Sequence, residues 1–384
     1  MKNHIHPPHN NPKPMSKPPP RSESYKLTDF VTAAMPKGKR KGKWTTANTM
    51  IKEHVDKQSI TKRRLNDRTR IRKDRKGKQR QGRDIHYAKK VAPNNHGGYV
   101  YHDWQEEEAA SVFALFNVKK NKYIDIHDYT IIDTAPGTES FLLGTKHALV
   151  FDQDSGEYIV GKVSPRQASE CMGNKKELNK LYKDLKKTLK LKPDIGRGNQ
   201  RTGLCSAYKI YGHRKDPRGT KVSAYSFLGN ADEEDKKEAL KVTENLCGNM
   251  ERASSRIGNA LPESEIYKVV KKFTKMPSVV EGKLAAALNI GENYMSKCHV
   301  DNDFYYTTLS CLSPPSKNKN EIIYYYVCPE YKIAVPMRSG DVLLFNPHQT
   351  HSVCNPRYRD TLIFSAYVSK KTTLTQTSDV FINH

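Results

Sequence analysis

The chain has 384 residues, 66 Lys+Arg against 41 Asp+Glu, a formal net charge of +25 and only 36% hydrophobic residues, a mix that fits one packed core plus a long stretch too polar to fold alone. It contains no run of about 18 apolar residues, which argues against a membrane-spanning helix, and its first residues lack the apolar segment of a secretory leader. Seven cysteines, an odd number with no CxxC pair, read as reduced thiols of an intracellular protein.

The charge is concentrated at one end. Residues 1–90 hold 26 Lys/Arg and 7 Asp/Glu (+19), whereas residues 91–384 hold 40 and 34 (+6). Residues 1–36 are rich in Pro, Asn, Ser and His, and residues 37–90 carry 21 Lys/Arg against 5 acids. Residues 1–98 are therefore expected to be a disordered basic arm. Lysine and arginine at that density neutralise phosphates, so a nucleic-acid partner through 37–90 is expected, with salt-dependent affinity. The same run serves equally well as a nuclear-import signal, and a solvated tail is the third reading.

Order is expected from about Tyr99. Residues 102–117 read as a helix with an acidic start. Short strand-like pieces follow, then a hairpin over 147–163 whose turn is Asp154-Ser155-Gly156. Leu178, Leu181, Leu185 and Leu189 recur at helical spacing within 174–191, which predicts a helix packed on a core. Residues 195–220 read as a Gly- and Arg-rich loop, and 232–260 as a second helix opened by acids. From about 283 the pattern changes to short strands at 304–312, 321–328, 331–336, 341–346, 351–354 and 360–368, punctuated by Pro and Gly. The fold class is α+β, with a jelly-roll or similar double sheet as its core.

Three elements in the strand region carry chemistry. His299 and Asp301 stand two apart in KCHVDND, so an extended chain turns both to one face. SGDVLLFNPHQTHSV is a buried strand, a turn and then His351; NPRYRDTLIFSAYV is a strand headed by an arginine. Two histidines and a carboxylate form the facial triad of non-haem Fe(II) oxygenases, which leaves metal positions open. An arginine on the next inward-facing strand grips a carboxylate bidentately, as 2-oxoglutarate requires. Parity supports this: Leu362, Phe364, Ala366 and Val368 share an apolar face, and Arg359, Thr361, Ile363, Ser365 and Tyr367 the more polar one.

The chain supplies its own control. His54-Val55-Asp56 repeats the tripeptide inside the basic arm, with no strands after it. The copy at 299–301 differs in being followed by GDVLLFNP, a histidine 50 residues on, and an arginine 8 residues later. His348 competes with His351, and Arg357 with Arg359. His351 and Arg359 are preferred because each opens a strand, whereas His348 and Arg357 follow prolines in turns.

In order and spacing these elements resemble the 2-oxoglutarate/Fe(II)-dependent dioxygenase superfamily, over about 283–368. HVDNDFYYTTLS, YKIAVPMRSGDVLLFNP and HQTHSV are most similar to its ten-eleven-translocation/J-binding-protein-like subgroup, found beside transposon genes. The resemblance implies a double-stranded β-helix core at about 283–370 within a dioxygenase domain at 99–384, with 99–260 as its N-terminal flank. It implies Fe(II) on His299, Asp301 and His351, and 2-oxoglutarate on Arg359 with Thr361 beside it. Tyr294 would donate a hydroxyl to the co-substrate. It further implies oxidation of a C–H bond on a methylated base, flipped out of any duplex, with Phe304, Tyr305 and Tyr306 as candidate stacking groups. The alternatives are a prolyl or lysyl hydroxylase of the same class, and a non-catalytic nucleic-acid-binding protein.

Overall fold

The computed structural model describes residues 83–91, 98–104, 123–134, 146–191, 199–200, 203–215, 222–224, 231–259, 261, 278–280, 285–301, 303 and 305–368. In chain order the first strands are β1 (Arg83–Ala88), β2 (Tyr99–Tyr101), β3 (Tyr123–Asp125), β4 (Thr130–Ile131), β5 (His147–Asp152) and β6 (Tyr158–Lys162). Helices α1 (Pro165–Met172) and α2 (Lys175–Lys190) follow, then β7 (Asn199–Gln200), β8 (Gly203–Leu204), β9 (Ala207–Lys215), β10 (Val222–Ala224) and helix α3 (Glu233–Gly258). The last strands are β11 (Ala287–Glu292), β12 (Met295–Ser296), β13 (Thr307–Leu312), β14 (Ile322–Cys328), β15 (Ile333–Arg338), β16 (Val342–Phe345), β17 (Ser352–Val353) and β18 (Leu362–Tyr367). The fold is mixed α+β. Among the described residues no helix is long and apolar enough to cross a membrane, and none of the seven cysteines, all buried, forms a disulfide.

Nine strands form one large sheet in the order β1-β5-β6-β16-β13-β18-β11-β9-β10, and a smaller sheet runs β17-β14-β15-β4. Both faces of the large sheet are apolar, and the alternation of side chains assigns each residue to a layer. Leu288, Ile290, Leu312, Val342, Leu344, Leu362, Phe364 and Ala366 pack under the helices, against Leu185, Leu246, Met250 and Ile257. Their neighbours Leu309, Cys311, Leu343, Phe345 and Ile363 turn the other way, onto Tyr324, Tyr326, Ile333, Val335 and Met337 of the small sheet. The parity expected for 362–368 is the observed one.

A third apolar layer covers the outer face of the small sheet, where Val100, Trp104, Ile126 and Tyr129 meet Tyr325, Val327 and Ala334. Polar clamps hold it there. His102 N–H donates to Asn355 Oδ1, Asn355 returns an N–H to His102 O, and Trp104 Nε1 donates to Asn355 O. Asp133 lies at the centre of a buried charge cluster: Lys162 Nζ is 3.1 Å from its Oδ1, and Arg338 grips it bidentately at 3.1 and 2.8 Å. Lys162 also meets Asp341 at 2.7 Å.

Local chemistry explains the helices and the hairpin. Asn174 caps α2, accepting from Lys176 N and Glu177 N, while Glu177 accepts from Asn174 N, a reciprocal capping box. Leu178, Tyr182, Leu185 and Leu189 are its buried stripe; Leu181 is only half-buried. Asp232 caps α3 by accepting from Asp235 N. In the β5–β6 hairpin Asp152 Oδ1 accepts from Asp154 N, Ser155 N and Ser155 Oγ, and Gly156 takes φ 71°.

Three readings of the sequence are revised. Arg83–Ala88, assigned by charge to the basic arm, is an edge strand paired in parallel with β5; its alternation over RDIHYA was masked by the basic run before it. Residues 207–215, read as loop, form the nine-residue β9, paired with β11, because Tyr208, Ile210 and Gly212 alternate with Lys209 and Tyr211. Helix α1 was missed, although Ser164-Pro165 at its start and Gly173 after its end, at φ 102°, are boundary signals. Most of the helix expected at 102–117 lies outside the described residues, as do 1–82 with the control tripeptide at 54–56.

Candidate metal centre

The segment after β12 and the segment before β17 run side by side. Ser352 Oγ donates to Ser296 O, and Val353 N donates to Ser296 Oγ at 2.7 Å. His299 and His351 exchange both backbone hydrogen bonds, 3.0 and 2.9 Å, as an isolated antiparallel pair. Asp301 N then donates to Pro347 O. Three separate ladders therefore fix the two histidines and the aspartate before their side chains are considered.

The side chains converge. Asp301 Oδ1 is 3.4 Å from His299 Nε2, and its Oδ2 is 3.4 Å from His351 Nε2. One ligand atom from each of the three residues lies within 4.8 Å of the other two, a cluster that can hold a metal ion. Each imidazole is oriented by its other nitrogen: His299 Nδ1 meets Lys297 O at 2.6 Å, and His351 Nδ1 meets Gln349 O at 2.9 Å. That bond makes Nδ1 the donor and turns Nε2 to the shared point, the outer-shell arrangement of histidine ligands. His351 is further held between Phe345 and Tyr326, with ring centroids 4.7 and 5.9 Å away.

Burial by itself would raise the Asp301 pKa. The hydrogen bonds and charges of His299 and His351 outweigh it and hold the carboxyl well below the usual range. For His299, burial pulls downward and Asp301 more than reverses it, so the imidazole is raised. Asp303 behaves oppositely: full burial, then the charge of Asp301, pushes its carboxyl well above 3.8, although Thr307 Oγ1 donates to it at 2.8 Å.

These residues border a cavity of about 220 Å3. Its opposite wall comes from the large sheet: Tyr208 on β9, Asn289 and Gly291 on β11, and Ile363, Ser365 and Tyr367 on β18. Asn289 pairs across strands with Ser365, and Gly291 with Ile363. Among the described residues lining this cavity there is no lysine or arginine.

The expected site residues thus separate into two groups. His299, Asp301 and His351 come together, and Tyr294 also lines the cavity. His348 is exposed, its Nε2 at 2.7 Å from Asp303 O, away from the cluster. Arg359 and Thr361 are not where the sequence placed them. Strand β18 begins only at Leu362, and residues 357–360 form a turn in which Asp360 takes φ 63°. The turn puts Arg359 in solvent instead of on the inner strand face. Thr361 is buried, donates to Tyr358 O at 2.7 Å, and is not a cavity residue. Tyr305 and Tyr306 join the helix-side core, with Tyr306 edge-on to Tyr158 at 5.0 Å, and do not line the cavity. Phe304 lies outside the described residues. Sequence reasoning missed Asp303, Asn289 and Tyr208; for Asp303 its place two residues after Asp301 was the available signal.

No family model matches the chain, and no curated protein matches it. Among solved structures, NgTET1 in complex with 5mC DNA matches at 12% identity and TM-score 0.35, covering 69% of this chain and 88% of that chain. A likeness of that size does not bear on fold or activity.

Proposed function

We propose that the protein is a metal-dependent oxygenase whose Fe(II) is held by His299, Asp301 and His351, and that its target is a methylated base of nucleic acid. The observation that carries this reading is the convergence of two Nε2 atoms and one carboxylate within 4.8 Å at a cavity. Bound iron would supply oxygen activation at open coordination positions. The chain's own residues do the rest. The two backbone carbonyls that fix the imidazoles keep the donor set in place, Asp301 stays ionised beside them, and Tyr326 and Phe345 shield His351 from water. The reading takes the facing sheets as a double-stranded β-helix and the chain from Arg83 onward as one catalytic unit, with β1 paired to β5 and the third apolar layer and the Asp133 cluster joining the flank to the core.

For the nucleic-acid target, the support is the basic arm, 21 Lys/Arg against 5 acids over 37–90. The cavity of about 220 Å3 is smaller than ordinary ligand pockets, so only the reacting group of a polymer enters, and a duplex base would have to be flipped out. The donor set fits iron. The cavity wall does not fit the second carboxylate of 2-oxoglutarate through Arg359, which is exposed on the turn; among the described lining residues there is no lysine or arginine, and the large-sheet wall offers neutral groups such as Asn289 and Ser365.

The test is oxidation of methylated DNA by the full chain with Fe(II), read by mass spectrometry of the bases, with 2-oxoglutarate present and omitted. Oxidised base that requires Fe(II) and disappears in His299→Ala is the expected result, and the arm without 2-oxoglutarate decides whether that acid is the co-substrate. Oxidation of a peptide but not of DNA would move the hydroxylase reading ahead. No oxygen-dependent product from either substrate would sink the enzyme reading.

A further inference from the structure

Helix α2 carries charge that the fold does not consume. Its sixteen residues include seven lysines and two acids, Glu177 and Asp184, a net of +5. All of residues 91–384 together carry only +6. Lys186 turns inward and pairs with Glu292 and Asp360. The other six, Lys175, Lys176, Lys180, Lys183, Lys187 and Lys190, are exposed, and among the described residues no ion pair joins any of them to an acid.

Five of the six stand in one row. Lys176, Lys180, Lys183, Lys187 and Lys190 are separated by four, three, four and three residues, the spacing that places side chains above one another on a helix. Like charges at that spacing repel and destabilise the helix. The helix holds because Leu178, Tyr182, Leu185 and Leu189 anchor its other face and the capping box closes its start. The row is about 21 Å long, the axial rise of roughly six phosphates on one strand. At its start Asn174, Lys175, Lys176, Asn179, Lys180, Lys183 and Asp184 line a shallow recess. There the patch meets Lys319, whose ammonium is held by Ser313 O, Ser313 Oγ and Pro314 O; burial, then the charge of Lys175, pushes it down to about 8.

We propose that this lysine face is a docking surface for a nucleic-acid backbone, separate from the cavity. A protein partner is the weaker fit, because protein interfaces are centred on apolar or aromatic anchors and depleted of lysine. None of the exposed large hydrophobic residues (Ile85, Val91, Ile131, Leu240 and Val300) lies on α2. The helix sits on the far side of the large sheet from the cavity, so the segment held here flanks the reacting base or belongs to a second strand. The choice of nucleic acid rests on the function proposed above; the surface itself does not depend on the chemistry.

The experiment measures duplex-DNA affinity of the full chain against salt, without metal or co-substrate. In Lys180→Gln/Lys183→Gln/Lys187→Gln the slope of log affinity on log salt should be shallower by about 2.7, from about 0.9 per neutralised contact. DNA should also protect Lys180, Lys183 and Lys187 of the unaltered chain from acetylation. An unchanged slope together with undiminished labelling overturns the proposal and makes an acidic protein surface the next candidate. A chain with the expected slope change that never oxidises methylated DNA removes the methylated-base reading and leaves this surface standing.

Discussion

The two walls of the cavity are built differently. The wall on the small-sheet side is tied down before any ligand arrives: a mutual backbone pair between His299 and His351, a Ser296 lattice to Ser352 and Val353, and a carbonyl behind each imidazole. The wall from the large sheet carries only neutral groups, with Asn289 beside Ser365 and Gly291 beside Ile363, and Tyr208 and Tyr367 among them. The first wall has fixed charge and direction; the second has shape. A preorganised cluster can position an ion, whereas a neutral wall can select only by fit and by single hydrogen bonds.

The largest break of that contrast is His351→Ala, which should abolish metal binding measurable by calorimetric titration, while His348→Ala leaves it unchanged. Asp133→Ala comes next. It leaves Lys162 and Arg338 buried without their shared carboxylate, and stability should fall by about 3–5 kcal/mol in denaturant unfolding. Metal affinity of the folded fraction should stay the same, since Asp133 does not line the cavity. Ser296→Ala removes the acceptor of Val353 N but no ligand, and metal affinity should drop about 10-fold, the usual weight of an outer-shell partner. The smallest effect is expected for Arg359→Ala. If the far wall is neutral, the co-substrate KM should move less than about twofold, because the guanidinium lies outside the cavity. A loss of 100-fold or more would show that the turn 357–360 folds inward on ligand binding.

Acid should loosen the molecule in two steps. Burial, then the charges of Arg83 and Arg256, holds His147 down at about 4, where its Nδ1 accepts from Ser164 N. A folded pKa below the ordinary 6.5 means the neutral form is favoured, so that stability is complete above pH 6.5 and fades as pH falls towards 4. Burial would raise Asp133, but Lys162 and Arg338 reverse it and hold the carboxyl at about 2. Its contribution is present above pH 3.8 and is lost as pH falls through 2. Urea unfolding across pH 7 to 2 should show both windows, and His147→Gln should remove only the upper one.

Much of this was legible in the residues alone. The HxD pair, the histidine fifty residues on, and the alternation of Leu362 to Val368 depend on local periodicity, and local periodicity survives folding. The same holds for α2 and α3, whose leucines and caps announced them. What failed is equally specific. Arg359 was placed by counting back along a strand whose true start, Leu362, is decided by a turn with Asp360 at φ 63°. Tyr305 and Tyr306 were candidate stackers by adjacency to the HxD, but the helices claim them for the core.

The sequence by itself determined which residue types stand at which spacing, and so the chemistry of the donor set, because period-two and period-3.6 patterns follow from backbone geometry. Only the tertiary structure decided which polar groups share a cavity with that donor set. Asn289 and Tyr208 reach it through strand pairings joining residues far apart in the chain, and such closures leave no periodic trace. The lysine row of α2 shows both halves of the argument. Its spacing is written in the sequence, but that the row faces outward, without acidic partners among the described residues, was settled by the sheet beneath it.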